Sequence, residues 1–434
     1  MIKAGAICER IVCGTLWHLR DSSFEHPDFE EIKEGAIAIC KEGKILAVGT
    51  EKFIISNFKA RKTDRFPQSF LLPGFIDSHI HFPQMFQIGS YGESLLGWLE
   101  KYIFPEEEKM AAKGMAQKHA PLFFRELFRN GTTTSLIFSN SDAKTTDLLF
   151  RAAKTAGARA VIGKSSMDRG APQAVLRGIS QDKEDTEELI QNWHTKENRL
   201  FYALTPRFSP SCSPKLLTML GLLAEKYPTV RIQTHFSENV DELKLVKKLF
   251  PKSQDYLATY EDFGLINERT VLAHAIHAKD SEITRIKKRG AKISHCPTSN
   301  LFLGSGLFPL KKFSQKKITT SVGTDVGAGT SFSIWSTLAT AYQVQRVQGE
   351  DVHPAQLFYL ATLGGARALG LDSQVGNFQV GKFADIQVLN WQKSPILKTT
   401  VEKAGSPWEQ FFACLFQFEK SLITDVYVQG KKVL

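Results

Sequence analysis

Two histidines one residue apart, His79 and His81, end the apolar run that starts at Phe75. In a strand, residues i and i+2 point to one face, so this spacing aims both imidazoles at one place. A further histidine, His235, follows the apolar approach Val230-Arg231-Ile232-Gln233-Thr234, and His274 follows Thr270-Val271-Leu272-Ala273. Asp325 follows Thr319-Thr320-Ser321-Val322-Gly323-Thr324. Neutral imidazoles with one carboxylate suit Zn²⁺, and Fe²⁺ to a lesser degree. The expected ligand set is His79, His81, His235 and Asp325. The long gaps between them are unlike a compact zinc finger and require a fold that brings distant strand ends together. Glu238, in a His-x-x-Glu run with His235, adds a carboxylate for acid–base work. Asp77 sits two residues before His79 on the same strand face. Two readings of it stay open: it orients a ligand imidazole, or it pairs with a buried neighbour.

The elements that must position these groups alternate along the middle of the chain. Apolar strands end at His79-Ile80-His81, Ser139-Asn140, Ser165–Asp168, Thr205–Phe208, His235–Glu238, His274, His295-Cys296 and Asp325. Amphipathic helices intervene, among them Asp142–Ala156, Pro214–Lys226, Asn239–Leu249 and Ser281–Arg289. Gly131, Gly157 and Gly290 are placed to end helices in the left-handed conformation. Eight such units predict an α/β fold, a (β/α)8 barrel with its reacting groups at the C-terminal strand ends. Short strands at both ends (Ala6–Leu16, Gly35–Ile39, Lys44–Val48, Ala384–Leu389, Thr424–Val428) predict a small β-sandwich domain built from both termini. Glu42-Gly43 and Gln429-Gly430 read as turns. The expected division is 1–71 and 374–434 for the small domain and 72–373 for the barrel. Residues 85–105, with Gly89, Gly92 and Gly97, are placed to cover the site.

Bulk properties narrow the class. The chain has 434 residues, 42% hydrophobic and 23% charged, which suits a large globular core with a smaller one. The net charge of +10 comes from scattered basic pairs such as Lys247-Lys248 and Lys316-Lys317, read as solvated helix faces. No nucleic-acid partner is expected. The six cysteines form no C-x-x-C, and neither a signal segment nor an apolar run of about 18 residues is seen, so no membrane and a cytoplasmic location are expected.

Taken together, these parts resemble the amidohydrolase superfamily. The matching stretches are Pro73–His81, Thr234–Asn239, Ala273–Ala275, Ser294–Asn300, Gly323–Asp325 and the tail Gly376–Ile386. The resemblance implies metal-dependent hydrolysis. Two-metal members often bridge their ions with a carboxylated lysine at the end of strand four. Here that strand ends Leu204-Thr205-Pro206-Arg207, which favours one zinc per subunit. His274 is implied as a neighbour of the metal that hydrogen-bonds the attacking oxygen, and a homodimer is also implied.

Within the superfamily, Gln84, the segment Thr205–Cys212, His235 with Glu238, Leu96–Leu99 and Asn130–Thr134 resemble the guanine deaminase family. The chemistry agrees with it. Guanine presents O6 and N7 as adjacent acceptors, which the planar fork of Arg207 can meet. Phe208 offers a surface for a flat ring, and Gln84 carries both a donor and an acceptor. The competing readings are an ion pair for Arg207 and core packing for Phe208. In the implied reaction guanine and water give xanthine and ammonia. His81, His235, Glu238 and Asp325 border both metal and substrate. Asp325 accepts the water proton and Glu238 protonates the ring nitrogen. The rivals are an amidohydrolase acting on another aminated heterocycle, such as an oxidised guanine or a triazine, and a metal-binding scaffold without catalysis. The alternative deaminase signature, H-x-E with P-C-x-x-C, does not occur.

Overall fold

The computed structural model describes residues 5–92 and 94–434. Its centre is a ring of parallel strands in sequence order: Phe75–His81, Thr132–Phe138, Arg159–Gly163, Leu200–Pro206, Arg231–Phe236, Thr270–His274, Lys292–His295 and Thr320–Val322. Most of these strands are buried at every position, as in parallel sheets covered on both faces. The ring closes just beyond the last strand. The N–H of Asp325 donates to the carbonyl of His79 at 2.8 Å, and that of His81 to Val326 at 3.1 Å. The seam is reinforced inside the barrel, where Ser78, Ser294 and Ser321 bond to one another at 2.6 and 2.7 Å.

The helices start and stop where local chemistry dictates. Asp142 accepts from the N–H of Thr145 at 2.8 Å to open the helix Ala143–Ala156, and Gly157, at φ 76°, ends it. Ser213 caps Pro214–Lys226, whose proline occupies the first turn. At Val240–Leu249 the buried Glu242 reaches back to the N–H groups of Glu238 and Asn239 at 2.8 and 3.2 Å. That cap fixes the backbone of a residue expected to do chemistry.

Both termini build a second, mixed sheet of seven strands. Its spatial order is Lys431–Lys432, Ile423–Val428, Ile386–Leu389, Phe58–Pro73, Ala6–Leu19, Phe29–Ile39 and Ile45–Thr50. The two ends of the chain meet where Phe58–Pro73 pairs antiparallel with Ile386–Leu389. The turns at Gly43 and Gly430 fall as expected, both at positive φ. Four elements lie outside the expected set. They are the strand Phe58–Pro73, the helix Glu51–Asn57, and the helices Pro395–Lys403 and Pro407–Phe416, whose Leu397, Val401, Phe411 and Leu415 join the barrel core. The buried pair Arg159–Asp385 links the barrel to the terminal sheet, with Nε donating at 2.9 Å. No helix of the described residues is long and apolar enough to cross a membrane.

Candidate active site

Five side chains converge at the C-terminal mouth of the barrel. Nε2 of His81 lies 3.2 Å from Nε2 of His79 and 3.1 Å from Nε2 of His235. Oδ1 of Asp325 lies 3.3 Å from Nε2 of both His79 and His81. The donor atoms of His79, His235, His274 and Asp325 all fall within 4.8 Å of one another. His274, expected beside the ligands rather than among them, therefore stands within the same cluster, and His81 is in the closest contact with three of its members.

The imidazoles are held with their Nε2 atoms inward. Nδ1 of His235 donates to the carbonyl of Arg207 at 2.6 Å, and Nδ1 of His274 to Oδ1 of Asn300 at 2.9 Å. Both bonds place the ring proton on Nδ1 and leave a lone pair at Nε2. Burial pulls His79 and His235 below the ordinary histidine range and His81 down to about 3, so the rings stay neutral and ligand-ready. Burial works against ionisation of Asp325, but the imidazoles of His79, His81 and His274 outweigh it and hold the carboxylate far below its usual range. Nε2 of His274 is buried without a hydrogen-bond partner among the described residues, 3.5 Å from Oε2 of Glu238 and 3.9 Å from Oδ2 of Asp325. Neutral inward nitrogens around one carboxylate, one nitrogen orphaned, fit a borderline divalent metal.

Glu238 has the opposite electrostatics. Burial pushes its carboxyl well up, and the charges of Asp325 and Glu242 push it further. Its protonated form is thus favoured beside an ionised carboxylate, an arrangement able to separate an acid from a base. The backbone around these groups is unusual. Ser237, His274, Ala275 and Asp325 adopt φ values of 54°, 72°, 52° and 51°, a left-handed region that costs side-chain-bearing residues about 1–3 kcal/mol each. The strain sits at three of the strand ends that carry the site.

Asp77 has a definite place. Its Oδ1 accepts from the N–H groups of His79 and Thr324 at 3.2 and 3.1 Å, and its Oδ2 from the Thr324 hydroxyl. Of the two readings, it pairs with buried neighbours: it ties the backbone before Asp325 to the strand carrying His79 and His81. Burial raises its carboxyl to about 7 against the pull of those bonds.

Beside the cluster opens a cavity. His81, His235, Glu238 and Asp325 form its polar end, and Gln84, Arg207 and Phe208 its side. Leu95, Trp98 and Leu99, within the segment 85–105 expected to cover the site, also line it, together with Leu303 and Ala328. Gln84 accepts from the N–H of Gly327 at 3.3 Å through Oε1. Arg207 serves an ion pair and the cavity at once: Nη1 bonds Glu107, while Nε and Nη2 have no protein partner among the described residues. Glu107 carries no signal in the sequence, where Glu106-Glu107-Glu108 reads as a solvated charge run. Asn300 lies inside a matched motif, but its contact with His274 could not be read there.

Residues 70–433 match the Amidohydrolase family. The chain belongs to the amidohydrolase family. With it the chain joins hydrolases that act on C–N bonds. It is 42% identical over 363 residues, 84% of its length and 82% of the relative's, to guanine deaminase of Escherichia coli (strain K12). It is 38% identical to a probable guanine deaminase of Deinococcus radiodurans, with 94% of each chain covered. A solved guanine deaminase from C. acetobutylicum with bound guanine in its active site superposes with a TM-score of 0.89 at 31% identity, covering 98% of this chain and all of that one. The lysine that bridges two ions in other amidohydrolases has no counterpart at strand four. Lys164, after strand three, is buried against Asp182 instead.

Proposed function

We propose that this protein hydrolyses guanine to xanthine and ammonia at a single divalent metal, with zinc first and iron(II) second. The observation that carries the reading is one cavity bordered by Arg207, by Glu238 and by the His–Asp cluster. The relatives named guanine deaminase support it. His79, His81, His235 and Asp325 would hold the metal, and His274 stands at its edge. When bound, the metal supplies Lewis acidity that brings the pKa of a water towards ~7.

The chain's own groups do the rest. Arg207 offers Nε and Nη2 to O6 and N7 of the purine. On guanine the amino-bearing carbon lies across the ring from those atoms, so this hold turns it towards Asp325 and Glu238. Gln84 donates its free amide N–H to the ring edge, and Phe208 limits the cavity to a flat ligand. Asp325 takes the proton that the attacking water gives up. Glu238, kept protonated by burial, delivers its proton to the ring nitrogen beside the reacting carbon. A carbon–oxygen bond forms, the bond to the exocyclic nitrogen breaks, and the nitrogen leaves as ammonia with a proton returned through Glu238. His274 faces the attacking oxygen.

The test is ammonia release from guanine, adenine, cytosine, an oxidised guanine and an aminotriazine, with and without chelator. Guanine should be turned over fastest and lose turnover on chelation. A faster reaction with any other member of the panel overturns the assignment.

A further inference from the structure

We propose that Glu107 is a specificity-determining residue that makes the cavity select neutral purines over anionic ones; the inference rests on the purine reading of the site. Glu107 lies in the helix Phe104–Ala111, 1% exposed, and does not border the cavity. Its Oε1 pairs with Nη1 of Arg207, itself 3% exposed, while Phe104 of the same helix lies under the guanidinium at 5.5 Å. Oε2 of Glu107 is buried without a hydrogen-bond partner among the described residues. Asn140, after the second barrel strand, donates to the Glu107 carbonyl at 3.2 Å and fixes the helix against the barrel.

Two consequences follow from this geometry. The pair occupies Nη1 and leaves Nε and Nη2, which have no protein partner among the described residues, as the donors available to a ligand. It also cancels the arginine's charge behind the ligand. The cavity then meets a purine with directed donors and no net attraction for an anion. The second oxygen of Glu107, short of a partner, keeps that negative potential undiluted. A free arginine in the same place would favour deprotonated purines, the ionised product among them.

The experiment compares metal-loaded wild type, E107Q and E107D. The readouts are guanine KM and kcat, and binding of urate, a purine monoanion at neutral pH. E107Q should bind urate about tenfold more tightly than wild type and raise the guanine KM several-fold, with the smaller change in kcat. E107D, which keeps the charge but withdraws it by one methylene, should lie between. A merely structural role would weaken both ligands together, so urate affinity unchanged or reduced in E107Q overturns the proposal. Should E107Q fail to fold, E107D decides alone: a gain in urate affinity supports the inference and no gain overturns it. The urate comparison needs binding only. Absence of ammonia release from guanine by wild type would therefore sink the substrate assignment without touching the charge argument.

Discussion

His235 and Arg207 are joined through the backbone: the Nδ1–H of the histidine donates to the carbonyl oxygen of the arginine at 2.6 Å. One residue thus orients an imidazole of the candidate metal cluster with its main chain and meets the cavity with its side chain. The two functions are separable by mutation. Arg207→Ala should retain one metal per chain and raise the guanine KM at least about tenfold, as expected for loss of a bidentate contact worth ~1–3 kcal/mol. Metal analysis alongside steady-state kinetics checks this. Loss of the metal in that variant would show that the side chain also supports the cluster.

Glu238→Gln removes the proton carrier and preserves shape. The metal content should stay unchanged while kcat falls about 10²–10⁴-fold. Full turnover in this variant would end the acid–base role given to Glu238.

Asn300→Ala frees the His274 ring to take its other tautomer. We expect kcat to drop about 10–100-fold, the usual scale for losing a group that orients a metal-site histidine, with guanine KM nearly constant. A ¹⁵N spectrum of the histidine side chains reports the tautomer directly, and an unchanged His274 signal with unchanged kcat would contradict the prediction.

Thr324→Val deletes the hydroxyl that bonds Asp77 and keeps the volume. It leaves a buried carboxylate oxygen short of a donor, at a cost of about 1–3 kcal/mol. Because Thr324 precedes Asp325, metal affinity should weaken as well. Urea unfolding and competitive metal titration measure the two effects separately.

His194 supplies a pH dependence remote from the metal. Its Nδ1 accepts from the N–H of Tyr202 at 3.2 Å, and Nε2 shares a bond of 3.0 Å with the Thr229 hydroxyl. Burial, aided by the charge of Arg231, pulls its pKa from 6.5 to about 4. The folded state therefore binds a proton less readily than the unfolded chain. The stability this confers is complete above about pH 6.5 and is lost as the pH falls towards 4. His194→Gln, which can still accept from Tyr202, should flatten the melting-temperature profile across that window. An unaltered profile would remove the assignment.

Much of the site was legible because barrel topology converts sequence order into spatial order. Each of His79, His235, His274 and Asp325 ends an apolar run, and such ends meet at one mouth whatever the distance along the chain. Gln84, Arg207 and Phe208 were legible by resemblance and reach the same cavity. Glu107 was not, because a carboxylate in a run of three has no local mark of burial; Glu106 and Glu107 both turn inward, and only the position of Arg207, from another part of the chain, gives Glu107 its partner. The strand Phe58–Pro73 was hidden for a related reason. Its first half, Phe58-Lys59-Ala60-Arg61-Lys62-Thr63-Asp64-Arg65, shows no alternation of apolar residues, and its pairing with Ala6–Leu19 depends on backbone bonds that composition does not reveal. Cluster members differ in another way. The Asn300–His274 bond joins the helix Pro297–Phe302 to the end of the strand Thr270–His274, and no periodicity connects them.

The backbone bonds from Asp325 to His79 and from His81 to Val326 bear on how the molecule is made. The same residues that present the proposed metal donors also fasten the first strand of the ring to the last. A nascent chain that has emerged only as far as the seventh strand has neither the carboxylate nor the seam, so metal capture belongs to the final stage of assembly. An ion held by these donors would clamp the join, and its removal should loosen the first and eighth strands before the rest of the barrel, which hydrogen exchange at Ser78–Ile80 and Thr324–Val326 would record.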